Sequence, residues 1–203
     1  MQTTIFDTPL VNTLMRGFSH AVLRLCGWRA EGLTPQQLAA QPKFVLIAAP
    51  HTSNWDFPFT LMLCFVLRMR VYWMAKASLF AWPIGSLSRW LGGIAIDRSA
   101  ANNTVQATVD AFARHERLIV IVAPEGTRGK VTHWKTGFYH MAHGASVPIA
   151  MAYLDFKRKR GGIGQMFVTT GDIEADMASI QQFYRGITGK NSGQFDAATV
   201  KKR

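Results

Sequence analysis

Cysteine is scarce in this chain: Cys26 and Cys64 are the only two. Both stand in apolar surroundings without metal-ligand spacing, which excludes a disulfide framework and a cysteine-based metal site, and both read as reduced core or interface residues. Acidic residues are few, 12 against 23 Lys and Arg, leaving a formal charge of +11 and a pI of about 10.2. That imbalance asks for an anionic partner: nucleic acid, an acidic membrane surface, an acidic carrier protein or a phosphorylated substrate. No apolar run approaches the roughly 18 residues of a membrane-spanning helix. The nearest, 57–67, ends at Arg68 and Arg70. No secretory signal peptide is legible. The expected location is therefore peripheral, on the cytoplasmic face of the cell membrane, with no transmembrane helix.

What is present is apolar and aromatic. The chain has 203 residues, 48% hydrophobic, with six Trp and thirteen Phe, enough for one domain with a real core. Without an internal repeat or a splitting linker, three stretches of a single domain are expected. Residues 1–43 hold an amphipathic helix and a connector, 44–190 form an α/β domain, and 191–203 are a loose polar, basic tail. In residues 9–28, Val11, Leu14, Met15, Phe18, Val22 and Leu25 form an apolar stripe, with Arg16, His20 and Arg24 opposite. Periodicity leaves two readings open: a helix packed on the core, or one lying in the headgroup plane.

Beyond a connector at 29–42 with a helical turn, strands are expected at 44–49, 71–75, 94–96, 118–123, 147–154 and 166–170. Helices are expected at 56–68, 101–115, 137–143 and 174–186. The basic run 157–160 reads as a hairpin or exposed loop. This alternation predicts an α/β sandwich around a largely parallel central sheet, with the amphipathic helix at its N-terminal side. His51, Asp56, Lys76, Arg98, Glu125 and Arg128 all fall just after expected strands, on the edge where α/β sheets bind ligands.

His51 and Asp56 stand five residues apart where a strand gives way to a helix. A carboxylate there can fix the tautomer of an imidazole and stabilise the imidazolium it becomes. The same residues also suit a helix start, with Ser53 or Asn54 as the N-cap and Asp56 favouring the helix dipole. Ser53 lacks the Gly-x-Ser-x-Gly elbow of a hydrolase nucleophile, which speaks against a lipid hydrolase. The remaining histidines, His20, His115, His133, His140 and His143, form no metal-ligand set.

Taken in order, the motifs are His51 to Asp56, then Gly92-Gly93-Ile94-Ala95-Ile96-Asp97-Arg98, then Pro124-Glu125-Gly126-Thr127-Arg128. Lys135, Gly137 and Ala142 follow, and then Val147-Pro148-Ile149. Together, across roughly 44–150, they resemble the glycerophospholipid acyltransferase family, which includes the 1-acylglycerol-3-phosphate (lysophosphatidic acid) acyltransferases. The resemblance implies transfer of a fatty acyl group from acyl-CoA or acyl carrier protein to a lysophospholipid hydroxyl, giving phosphatidic acid. No cofactor or metal is expected beyond the acyl co-substrate. It implies His51 as base, Asp56 as its partner, and Lys76, Arg98, Glu125, Gly126, Thr127 and Arg128 as acceptor-binding residues. Ala95 and Ala123 stand where aromatics are common in the family, and Pro50 where Asn is usual. These departures keep open another hydroxylated or lyso-lipid acceptor, such as a lyso-ornithine lipid.

A non-catalytic basic module for membranes or nucleic acid rests on charge alone. Its basic residues should be scattered among stacking aromatics, whereas here they recur at strand ends. The partners expected are a lysophospholipid, the acyl donor and an anionic membrane surface, not nucleic acid. Binding to anionic vesicles should weaken as salt rises.

Overall fold

Continuous apolar runs, rather than alternating ones, mark strands covered on both faces, and three such runs make the centre of this molecule. They are β2 (Lys43–Ala48), β5 (Leu118–Val122) and β6 (Ile149–Asp155). A computed structural model describes residues 3–96 and 101–195. In it, β2 lies between β5 and β6 and is parallel to both. Strands β3 (Tyr72–Lys76) and β4 (Gly93–Ile96) extend the parallel sheet beyond β5. On the other side come β7 (Arg160–Phe167), antiparallel to β6, and β1 (Arg29–Gly32), parallel to β7. The seven-stranded order is β1-β7-β6-β2-β5-β3-β4. The expected largely parallel sheet is present.

Because successive side chains on a strand point to opposite faces, β2 feeds two cores. Val45 and Ile47 pack with α5 (Ala101–Arg114), α6 (Gly137–Gly144) and α7 (Ile173–Tyr184) through Phe112, Phe138, Met141 and Ile180. Phe44 and Leu46 pack on the other face with Cys64 and with Leu67, the C-cap of α3 (Asp56–Val66). All four β2 side chains are buried. At the end of α7, Tyr184 donates its buried hydroxyl to the carbonyls of Ile47 and Ala152, tying β2 to β6.

Several expectations need correction. Residues 29–32 are an edge strand, not a connector. All four are exposed, so no apolar pattern announced them. Gly162, at φ +155°, lets this strand close on β7, since a Cβ there would lie 2.0 Å from the Glu31 carbonyl. Strand β7 starts at Arg160 rather than 166, because Gly161, Gly162 and Gly164 carry no strand signal. The helical turn expected within the connector is α2 (Pro35–Ala40), capped by Thr34, whereas the short helix α4 (Gly85–Trp90) was not expected. Cys26 is exposed, beyond the last turn of α1 (Pro9–Leu25), whereas Cys64 is buried. The stripe of α1 is split: Val11, Met15 and Val22 are half-buried, whereas Leu14, Phe18 and Leu25 are exposed, with Leu10 beside them; Leu23, outside the stripe, is buried. Residues 191–195 are bonded to the domain rather than loose, and 196–203 lie outside the described residues. Among the described residues, no helix is long and apolar enough to cross a membrane.

Candidate active site

The parallel strands β2, β3 and β5 deliver their following residues to one edge of the sheet. After β2 the chain turns through Pro50 and His51 and re-enters a helix at Asp56. Asp56 is 4% exposed, and a buried carboxylate must be hydrogen-bonded to remain charged. Its Oδ2 accepts the main-chain N–H groups of Thr52 (2.7 Å) and Ser53 (2.8 Å) and lies 3.1 Å from His51 Nδ1. Its Oδ1 is buried without a hydrogen-bond partner among the described residues. The helix-start arrangement and the His–Asp pair thus coexist in one loop, although the N-cap is Trp55, with no side-chain cap. Ser53 Oγ accepts the Trp55 N–H at 3.1 Å. Among the described residues Ser53 has no hydrogen bond to His51.

The second loop follows β5. Glu125 is 5% exposed, and its Oε2 accepts the main-chain N–H of His51 at 2.8 Å. Burial pushes its carboxyl up to about 8; the bond from His51 opposes the rise and the charge of Asp56 adds to it. Among the described residues no ion pair joins Glu125 to Arg128. Gly126 takes φ +65°, and the Lys135 stem would lie 3.0 Å from a Cβ added there. Glycine therefore meets both the backbone requirement and the close approach at this turn. The Thr127 hydroxyl accepts the Gly129 N–H at 3.4 Å, and Arg128 is exposed. Lys76 ends β3 and is also exposed. Arg98 lies outside the described residues.

His51, Asp56, Lys76, Gly126, Thr127, Arg128 and Lys135 line one cavity of about 1990 Å³. Glu125 instead backs the His51 loop. An apolar arm of the cavity runs between α3 and the sheet, past Leu46, Leu63, Cys64, Val71 and Ile163. Of the expected site residues, all but Glu125 and Arg98 are thus brought to this cavity, and Lys135 joins them. Reading the sequence missed Asn191 and Gln194, which bond to Thr52 from far along the chain. Nothing in their polar surroundings announced them. Among the described residues, no cluster of His, Cys, Asp and Glu suits a metal ion.

A His–Asp pair at the carboxyl edge of a parallel sheet, lining a cavity with both apolar and cationic walls, is placed where α/β enzymes bind their substrates. Residues 33–154 match the acyltransferase family, and the chain belongs to it. The fold agrees. The crystal structure of the 1-acyl-sn-glycerophosphate (LPA) acyltransferase PlsC from Thermotoga maritima superposes with a TM-score of 0.59 at 15% identity. The match covers 87% of this chain and 78% of that one. No curated protein sequence matches.

Proposed function

We propose that this acyltransferase moves a fatty acyl group from an acyl thioester, acyl-CoA or acyl carrier protein, to the hydroxyl of 1-acylglycerol-3-phosphate, giving phosphatidic acid. The observation that carries the mechanism is the triple use of Asp56 Oδ2 by His51 Nδ1 and the N–H groups of Thr52 and Ser53. With Nδ1 committed to the carboxylate, Nε2 is the nitrogen free to act as base. It takes the proton of the acceptor hydroxyl as the oxygen attacks the thioester carbonyl. The tetrahedral intermediate then expels the thiolate, which recovers that proton from the imidazolium. Asp56 stabilises the imidazolium in between. The acceptor's own hydroxyl takes the place of a protein nucleophile, so no acyl-enzyme forms and no metal or cofactor is required.

Arg128, Lys76 and Lys135 line the same cavity and offer cationic donors to the acceptor phosphate. Arg98 joins them on the resemblance of its motif. The apolar arm takes an acyl chain. The likeness of fold to the Thermotoga enzyme agrees with this acceptor.

The test is transfer of labelled acyl groups from acyl-CoA to lysophosphatidic acid by the parent protein and by His51→Ala. The expected result is phosphatidic acid from the parent and at least about a thousandfold less from the variant. Activity surviving His51→Ala would overturn the mechanism. A parent that acylates only a lyso-ornithine lipid or another lyso-lipid would overturn the acceptor while leaving the chemistry.

A further inference from the structure

Residues 188–195, beyond α7, touch the loops that follow three neighbouring strands. After β6, the Phe156 N–H donates to the Thr188 carbonyl at 2.9 Å. After β2, Thr52 accepts twice from Asn191: its Oγ1 from the main-chain N–H at 3.2 Å, and its carbonyl from Nδ2 at 2.7 Å. After β5, the Gln194 amide nitrogen, oriented to face acceptors, donates to the Arg128 carbonyl at 2.8 Å and to that of Thr52 at 2.9 Å. Gly189 approaches so closely that a Cβ there would lie 2.6 Å from Thr52 Oγ1. Lys190 lays its ammonium 5.2 Å from the Trp55 ring centroid and 5.7 Å from that of Phe156. The Phe195 ring rests 6.5 Å from that of Trp134.

Thr52 is the hinge of this arrangement. It is 2% exposed and sits between His51 and Ser53. Its N–H faces inward to Asp56, while its hydroxyl and carbonyl face the crossing segment. We propose that Asn191 and Gln194 are positioning residues for acyl transfer. They form a strap that fixes the His51–Asp56 loop against the Glu125–Arg128 loop. This rests on the reading of His51 as the base. Neither residue touches a reacting atom. Their effect passes through Thr52, whose placement sets the two N–H groups on Asp56 and hence the imidazole. A base must be held to about half an ångström to work well, and a displacement of about 1 Å can cost on the order of a hundredfold in rate. Loops at strand ends do not hold that tolerance by themselves.

The experiment uses the full chain carrying Asn191→Ala, Gln194→Ala, Thr52→Val or Thr52→Ser. Thr52→Val keeps the shape and removes the side-chain acceptor Oγ1 while leaving the carbonyl, and Thr52→Ser keeps both oxygens. Two readings are taken: steady-state kinetics, and hydrogen exchange of the peptide spanning 51–56. Asn191→Ala and Thr52→Val should lower kcat about tenfold with KM for both substrates within about twofold, and should speed exchange in that peptide. Thr52→Ser should restore both, and Gln194→Ala should act like Asn191→Ala. Equal melting temperatures across the set separate positioning from loss of fold. Unchanged kcat and unchanged exchange in both Asn191→Ala and Thr52→Val would overturn the strap. If the parent transfers no acyl group, the proposed reaction fails, and the exchange reading decides the strap alone: faster exchange supports it and unchanged exchange overturns it.

Discussion

The main-chain N–H of His51 donates to Glu125 Oε2 at 2.8 Å, joining two loops that lie 74 residues apart in the chain. The acceptor is a carboxyl that burial has raised to about 8. Folding therefore favours its protonated form. The stability this group contributes is fully present below the ordinary carboxylate value of 4.5 and is lost as pH rises through about 8. Glu125→Gln mimics the protonated form and keeps an acceptor for His51. Between about pH 5.5 and 8.5, urea melts of the parent should lose about 3 kcal/mol more than those of the Gln variant. Parallel pH profiles would show that Glu125 ionises freely in the folded protein.

Asp56→Asn tests the carboxylate itself. The amide oxygen can take over the N–H groups of Thr52 and Ser53. The amide nitrogen would occupy the place of Oδ1, which has no donor partner among the described residues to lose. The loop should keep its shape, while the imidazolium loses its counter-charge. The expected outcome is a fall in kcat of on the order of a hundredfold or more, with a melting temperature near the parent's. A variant within threefold of the parent, or thereabouts, would remove Asp56 from the mechanism.

The two cysteines give a test that needs no substrate. Cys26 is exposed, and Cys64 is buried with its thiol pushed up to about 12 by burial. Thiolate is the reactive form. Iodoacetamide at neutral pH should therefore modify Cys26 alone in the folded protein and both in denaturant, as read by mass spectrometry. Cys64 also lines the apolar arm of the cavity. Cys64→Phe should shorten the space available to an acyl chain and shift preference to shorter donors, at a packing cost of about 1–3 kcal/mol. An unchanged chain-length profile would place the acyl chain elsewhere.

The legible parts of this protein were those where one physical signal dominated. The apolar runs of β2 and β5 need burial on both faces, so their type and their place in a parallel sheet followed from composition. The His51, Asp56 and Arg128 positions followed because polar residues after buried strands have few other places to go. What stayed hidden depended on relationships between distant segments. Strand β1 has four exposed residues and exists because Gly32 and Gly162 let it close on β7. Asn191 reaches Thr52 across 139 positions, and a polar stretch carries no sign of the carbonyl it will meet. The stripe of α1 was visible, but the face it turns to the protein was settled only by packing on α3.

That packing leaves a surface with a consequence. Helix α1 buries Ser19 and Leu23 and leaves Leu10, Leu14, Phe18 and Leu25 from 57% to 87% exposed. Exposed apolar side chains in a row on one helix mark a surface that meets something apolar. With a net charge of +11, an anionic bilayer is the expected occupant. Two contributions should then separate. The charge-driven part weakens as salt rises, because it is screened within a Debye length. The apolar part, about 1.5–3 kcal/mol for each side chain fully buried and less for partial insertion, persists in salt. Co-sedimentation with anionic vesicles across a salt series should therefore fall to a plateau above zero. Leu14→Ser with Phe18→Ser should lower that plateau about tenfold or more while leaving the slope with salt unchanged. Binding by the double variant equal to the parent's at every salt concentration would show that this face of α1 does not enter the bilayer.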